Sequence, residues 1–123
     1  MDTCASIGHT SRIILGGVPL YVVIGFHKIK PEHVDDYLKR IPDHVQHSRA
    51  EAGCISYSLL RSTDDPTVMC LHEVFVDEAA YDIHVTSDSH DRWMSESKDW
   101  RDNDARVRHV LEPLDLDPKL RVP

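Results

Sequence analysis

The stretch "CISYSLLRSTDDPTVMCLHEVFV" (Cys54–Val76) decides the fold of this 123-residue chain. Two apolar runs flank the segment Thr63–Pro66, in which Asp and Pro have their usual roles in a turn. The stretch therefore predicts two strands joined as a β-hairpin. Alternate residues of a strand point to opposite sides, and both sides of the second strand are apolar. One side carries Met69, Leu71 and Phe75, and the other carries Val68, Cys70, Val74 and Val76.

The segments before the hairpin predict a strand followed by a helix. Leu20–Lys30 is rich in β-branched and aromatic residues, which favour a strand. Pro31 suits the first turn of a helix, and an apolar stripe follows at spacings of four, three and four residues: Val34, Leu38, Ile41 and Val45. Pro42 interrupts this pattern, so we expect the helix to kink or split there.

The segments after the hairpin predict two helices and a final strand. Asp77 is a good N-cap for a short helix that ends near Val85. Thr86–Asn103 predicts a charged amphipathic helix with its aromatic residues on one side. Ala105–Leu116 predicts the last strand.

The order β-α-β-β-α-α-β predicts an α+β fold of the ferredoxin-like, split βαβ type, in which helices cover one face of an antiparallel sheet. The apolar residues on the other face also need cover. A second copy of the chain is the simplest cover, so we expect a homodimer. We assign residues 20–116 to this domain, residues 1–19 to an N-terminal extension and residues 117–123 to a C-terminal tail.

The composition argues against several classes of partner. The net charge is −7, from 14 Lys and Arg against 21 Asp and Glu, so we expect affinity neither for nucleic acid nor for anionic membranes. Three cysteines without a C-x-x-C pair favour a reducing cytoplasm over a disulfide framework. The apolar run Ile13–Phe26 contains three glycines and a proline and is too short to span a membrane.

Four short motifs, in this order, give the chain a resemblance to a known family. They are E-x-G-C-x-x-Y at Glu51–Tyr57, E-x-aromatic at Glu73–Phe75, D-E-A-A at Asp77–Ala80 and A-x-x-x-H at Ala80–His84. With them, the chain from about Leu20 to Leu116 resembles the antibiotic biosynthesis monooxygenase (ABM) domain. Members of that family are dimeric α+β barrels, so the resemblance implies this fold and a homodimer.

The resemblance implies several activities. Some members resemble cofactor-free oxygenases that convert phenols, anthrones or quinols to quinones with O2, and similar proteins isomerise or fragment small sugar-derived signals. Another branch degrades haem, with an Asn on the first strand, a Trp on the third and a His on the next helix. This chain has Gly25 and Phe75 at the Asn and Trp positions, which argues against haem degradation. Of the three residues of that branch, only the His is present, and His84 is a candidate axial ligand of a haem iron.

His84 and Glu73 are the candidate catalytic residues. The family places a His at the position of His84, facing a cavity between helices and sheet, where a neutral imidazole can take a proton from a phenol or enol. Its alternative role is to stabilise the C-terminus of a helix. Glu73 shares a strand face with apolar residues, and a buried carboxylate is costly unless it is paired. We expect Glu73 either to pair with Arg61 or to act as acid, base or orienting group.

The candidate substrate-binding residues are Tyr57, Phe75, Trp93 and His72. Tyr57 occupies a position that often lines the family's cavity, and Phe75 and Trp93 are either walls for an aromatic substrate or ordinary core residues. His72 points to the opposite face of the sheet, where its alternative role is that of a hydrogen-bonded histidine in the dimer interface. His90 is shifted by about one residue from the position of a histidine motif in relatives, so the resemblance assigns no role to His90.

No metal or organic cofactor is implied. His44 and His47 have i, i+3 spacing, but no HExxH or Cys/His cluster accompanies them, and we expect an exposed pair. There is no G-x-S-x-G elbow, phosphate loop or dinucleotide fingerprint. The sequence therefore predicts a cytoplasmic, cofactor-independent monooxygenase that oxidises a small phenolic, anthrone or quinol-type substrate with O2. Two alternatives stay open: an oxygen-independent isomerase or lyase of a small hydroxy-ketone, and a non-catalytic dimeric ligand-binding protein.

Overall fold

Four strands and three α-helices make up the described part of the chain, residues 19–119 of a computed structural model. In chain order they are β1 (Tyr21–Ile29), α1 (Val34–Arg49), β2 (Cys54–Arg61), β3 (Val68–Phe75), α2 (Glu78–Val85), α3 (Asp88–Ser97) and β4 (Arg101–Leu111), with 3-10 turns at Pro31–His33 and Lys98–Trp100. The predicted N-terminal extension up to residue 18, with Cys4, and the last four residues of the predicted tail lie outside the described residues.

The strands form one antiparallel sheet in the order β2-β3-β1-β4. β2 and β3 are the predicted hairpin, in which Tyr57 lies opposite Glu73 and Leu59 lies opposite Leu71. The two inner strands, β3 and β1, are not consecutive in the chain, because α1 and β2 lie between them in sequence. This connectivity is the split βαβ arrangement, so the predicted α+β, ferredoxin-like fold is confirmed.

The helices cover one face of the sheet, and the core lies between the two layers. α1 contributes the buried residues Tyr37, Ile41 and Val45, the last two from the predicted apolar stripe. Asp77 caps α2 as predicted, since its Oδ1 atom accepts a hydrogen bond of 2.9 Å from the backbone N–H of Ala80. The rest of the core comes from the strands and α3: Ile29, Tyr57, Met69, Leu71, Phe75 and Trp93.

α1 runs through Pro42 for 16 residues without splitting, so that part of the expectation was wrong. Pro42 lies on the exposed side of the helix, where water can satisfy the carbonyl group that proline leaves unpaired. Within residues 19–119, no helix combines the length and the apolar character needed to cross a membrane.

β4 begins at Arg101, four residues before its predicted start, in a segment that we expected to be helical. Asp102 and Val107 pair with the two β1 residues on either side of His27. His27 alone therefore faces residues 103–106 of β4, which form a bulge. A bulge interrupts the two-residue alternation of a strand, and this is why the sequence pattern did not reveal where β4 starts.

The face of the sheet away from the helices is apolar and open. Phe26 and Val107, which pair across β1 and β4, are 41% and 46% exposed, and Leu60 and Leu111 are 54% and 44% exposed. A groove of about 450 Å³ lies on this face, between the sheet and the segment that follows β4. The second apolar face expected from the pattern of β3 therefore extends across the whole sheet.

Candidate functional site

A small cavity of about 40 Å³ lies between the helices and the sheet, on the same side as the core. Every strand and every α-helix of the described chain contributes to its lining. Apart from two tyrosines, its ionisable lining consists of four histidines, one glutamate and two arginines: His27, His44, His84, His90, Glu73, Arg106 and Arg108. Such a concentration of ionisable groups around a cavity is typical of a functional site.

His84 lies in the last turn of α2 and faces this cavity, with only 2% of the residue exposed. Its Nδ1 atom is 2.8 Å from Oε1 of Glu51, in the loop before β2. An ionised carboxylate only accepts hydrogen bonds, so this contact assigns the ring proton to Nδ1 and leaves a lone pair on Nε2. The Nε2 atom lies 3.7 Å from Oε1 of Glu73.

Gly53 allows Glu51 to reach His84. The backbone carbonyl of Gly53 accepts a hydrogen bond of 2.9 Å from the N–H of Val76, at the end of the neighbouring strand. A Cβ atom at Gly53 would overlap the Cβ of Ala80 in α2, so the loop packs directly against the helix only because residue 53 has no side chain. The motifs E-x-G-C and D-E-A-A therefore meet in the fold and together place Glu51 beside His84.

Burial sets the charge of the two groups that face each other. It lowers the pKa of His84 to about 4, so the ring is neutral at pH 7. Burial raises the pKa of Glu73 to about 8, against the opposing effect of Arg108, so this carboxyl group is mostly protonated at pH 7. Its Oε1 atom is buried and has no hydrogen-bond partner within residues 19–119. The cavity thus holds a neutral base and a neutral acid side by side.

His44 was expected to be half of an exposed pair, and this expectation was wrong. His44 is 1% exposed, whereas His47 is exposed. The Nε2 atom of His44 is 3.0 Å from the hydroxyl of Tyr57, and its ring stacks on Trp93 with 5.3 Å between the ring centroids. The signal was available in the sequence, because His44 follows the buried Ile41 by three residues and lies on the same side of the helix.

The structure brings two of the four predicted substrate-binding residues to the cavity. Tyr57 and Trp93 line it. Phe75 packs behind His84, with 5.3 Å between the ring centroids, and belongs to the core rather than to the lining. His72 lies on the open face of the sheet and lines the groove there. Arg61 lies opposite Met69, so the expected ion pair between Arg61 and Glu73 was wrong.

Two residues of the site were not assigned a role from the sequence. Glu51 belongs to a motif, but its partner His84 is 33 residues away in the chain, so spacing could not identify the contact. The ring of His90, at the start of α3, lies 5.0 Å from that of His84, and burial lowers its pKa to about 4. Within residues 19–119, no group of three His, Cys, Asp or Glu side chains is arranged to hold a metal ion.

Glu73→Gln should stabilise the protein more at high pH than at low pH. The pKa of about 8 in the folded protein lies above the ordinary value of 4.5, so the folded state keeps a proton that the unfolded chain releases between these values. The contribution of Glu73 to stability therefore falls as the pH rises from 4.5 through 8, whereas Gln does not titrate. Between about pH 5.5 and pH 8.5, urea denaturation should show the advantage of the variant growing by on the order of 3 kcal/mol.

The exposed substitution Glu32→Gln is the matched control, because it removes a carboxylate that folding does not bury. We expect its effect on the free energy of unfolding to stay nearly constant over the same pH range. An equally constant effect for Glu73→Gln would contradict the buried, protonated state of Glu73.

The chain is similar to known proteins in sequence and in fold. The family model for antibiotic biosynthesis monooxygenase (ABM) matches residues 20–96. YcnE of Bacillus subtilis, provisionally named a monooxygenase, is 34% identical over 65 residues, which are 53% of this chain and 68% of that protein. The uncharacterized protein sll1783 of Synechocystis is 28% identical over 87 residues, 71% of this chain, and the match spans only 59% of that protein.

The solved structures extend the likeness to the fold. Rv0793 from Mycobacterium tuberculosis has a TM-score of 0.73 and 25% identity, over 79% of this chain and 97% of that one. Because the family model matches more than half of its residues, the chain belongs to the antibiotic biosynthesis monooxygenase family.

Proposed function

We propose that this protein is a cofactor-independent monooxygenase that oxidises a small phenolic, anthrone or quinol-type substrate with O2. The observation that carries the proposal is the placement of His84 Nε2 and the protonated Glu73 side by side, 3.7 Å apart, in the cavity. Membership of the family supports a monooxygenase-like activity, and these two groups are the base and the acid that such a reaction needs.

The reaction starts with the transfer of a proton. Nε2 of His84 takes the proton from the acidic C–H or O–H group of the substrate. The imidazolium that forms is stabilised by Glu51, 2.8 Å from Nδ1, and this attraction offsets part of the cost of charging a buried ring. Glu73 donates a hydrogen bond to the substrate oxygen on which negative charge develops, a role for which a carboxyl group held neutral by burial is suited.

The substrate anion then reduces O2. For an anthrone-type CH2 group, one electron passes from the carbanion to O2, and the two radicals combine to form a peroxide on that carbon. His84 returns its proton to the peroxide, the O–O bond breaks, and the remaining C–H proton leaves. The products are a C=O group and one water molecule, each with one oxygen atom of O2. The protein contributes deprotonation, orientation and a cavity that excludes most water.

The size of the cavity limits how the substrate can bind. A volume of about 40 Å³ holds the reacting group of a substrate but not a whole aromatic ring. The ring must therefore extend out of the cavity, and we place it beside the half-buried Tyr81 of α2 and the exposed Arg108 of β4, which both line the cavity. Tyr57 and Trp93 then form the inner walls around the reacting group.

The same geometry favours a second candidate, an isomerase or lyase of a small hydroxy-ketone. An acid and a base that flank one space can protonate a carbonyl oxygen and move a proton between neighbouring carbons without O2. His84 and Glu73 have this arrangement. Dependence of turnover on O2 separates the two candidates.

His84→Ala should lower substrate-dependent O2 uptake by about 10²-fold or more, because it removes the general base. The measurement uses chelator-treated protein with a panel of anthrones and quinols. His47→Ala is the matched control, since it removes an exposed histidine from α1 and should leave uptake unchanged. Uptake that His84→Ala leaves untouched would contradict the assigned base. Turnover of a hydroxy-ketone under nitrogen would favour the isomerase.

We also propose that the protein forms a homodimer through the open face of the sheet. Phe26, Leu60, Val107 and Leu111 are large apolar residues that remain largely exposed on this one face. A contiguous apolar patch of this kind is typical of a protein–protein interface, and a second copy supplies a face of the same character. His72 would then be an interface residue beside the groove.

Phe26→Lys combined with Val107→Lys should convert the dimer to a monomer, because two charges would be buried at the centre of the interface. Sedimentation velocity measures the change. Ile83→Lys is the control, since Ile83 is exposed on α2, on the helical side of the molecule, and this variant should stay dimeric. A parent protein that sediments as a monomer at micromolar concentration would contradict the proposal.

A further inference from the structure

Two arginines of β4 stand beside the cavity, and the proposed reaction does not use them. Arg106 and Arg108 both belong to its lining. Arg108 lies opposite Gly25 in the sheet, so the β1 residue that pairs with Arg108 has no side chain. Arg106 is the last residue of the bulge opposite His27, which directs it to the same side.

Neither arginine is neutralised by the described chain. Within residues 19–119, the ion pairs between carboxylates and Lys or Arg side chains involve Lys28 and Arg40, and not Arg106 or Arg108. This is unusual for a chain whose net charge is −7, because acidic residues outnumber basic ones. Cations without an acidic partner beside a cavity favour an anionic ligand.

The position of Arg108 is fixed by Tyr81 of α2. An Nη2 atom of Arg108 donates a hydrogen bond of 2.7 Å to the hydroxyl of Tyr81. The guanidinium group also lies over the tyrosine ring, 5.3 Å from its centroid. Tyr21 of β1 also accepts a hydrogen bond from Arg108. A guanidinium group has five N–H donors, so some of them remain for a ligand after these contacts.

The other ionisable groups of the cavity add little charge to offset these cations. Burial lowers the pKa of His27, His44, His84 and His90 to between about 3 and about 4, so these rings are neutral at pH 7. The carboxyl group of Glu73 is mostly protonated. Arg106 and Arg108 are therefore the groups of the cavity lining that carry a full charge at pH 7, although the protein as a whole is acidic.

We propose that Arg106 and Arg108 bind an oxyanionic substituent, a carboxylate or a phosphate, on the substrate of this site. The inference rests on the proposed function and names the class of its substrate: a cyclic phenol or enol that carries an anionic group. A guanidinium fork matches the paired oxygens of both substituents. With its charged group held by β4 at the open side, the substrate can direct its acidic proton inward to His84.

Binding of three matched probes tests this proposal without turnover. Phenol, 3-hydroxybenzoate and 3-hydroxyphenyl phosphate share one ring and differ in the charged substituent, and NMR titration gives their dissociation constants. At low salt, at least one of the two anions should bind about tenfold or more tightly than phenol, and about 0.5 M NaCl should reduce this preference. The comparison of carboxylate with phosphate identifies which oxyanion the site prefers.

Substitution of the two arginines should remove the preference and leave the affinity for phenol unchanged. The test variant is Arg106→Gln combined with Arg108→Gln. Arg92→Gln, on the exposed side of α3, is the control for a lost positive charge and should keep the preference. Tyr81→Phe should weaken it less than Arg108→Gln, because the ring contact remains when the hydrogen bond is lost.

Two results would overturn the proposal: equal binding of phenol and both anions by the parent protein, or a preference that survives in the double variant. A failure of the anion site can be distinguished from a failure of the proposed oxygenase activity. If an anion binds preferentially but no compound drives O2 uptake, the anion site stands and the oxygenase fails. If uncharged quinols are turned over and no anion is preferred, the oxygenase stands and the anion site fails.

Discussion

The hydrogen bond between His84 and Glu51 is the contact on which the chemistry of this site depends. It joins the last turn of α2 to the loop before β2, and it forms only because Gly53 lets that loop pack against Ala80. Once Nδ1 of His84 is engaged by Glu51, only Nε2 is left to act, and Nε2 lies beside Glu73. Close packing of the backbone against a helix thus determines which nitrogen can serve as a base.

Burial sets the protonation states on which the reactivity of the site depends. A low-dielectric interior penalises charge, and the histidines and Glu73 avoid this penalty by staying neutral near pH 7. A neutral imidazole can accept a proton and a neutral carboxyl group can donate a hydrogen bond. The protonation states that make burial tolerable are therefore the states that proton transfer requires. The two arginines avoid the same penalty in another way, because they lie exposed on β4.

Much of the fold follows from local patterns, because strand alternation, the apolar stripe of α1 and the cap at Asp77 act within a few residues. The start of β4 could not be predicted, since a bulge interrupts the alternation there. The motifs identified His84 and Glu73 as candidates, and the structure places both in one cavity. The partner Glu51 is 33 residues from His84, and such a contact depends on how the loop and α2 pack. The burial of His44 could have been read from the stripe of α1, because helical periodicity applies to polar residues as well.

The protonation state of Glu73 and His84 is the central claim, and NMR spectroscopy can measure it directly. The protein would carry ¹³C-labelled glutamate carboxyl groups and ¹⁵N-labelled histidine rings, with Glu73→Gln and His84→Ala to assign the signals. The account predicts that the Glu73 carboxyl group titrates with a pKa near 8 and that His84 stays neutral at pH 7, with its proton on Nδ1. A Glu73 signal that titrates near the ordinary value of 4.5, or a charged His84 ring at pH 7, would contradict it.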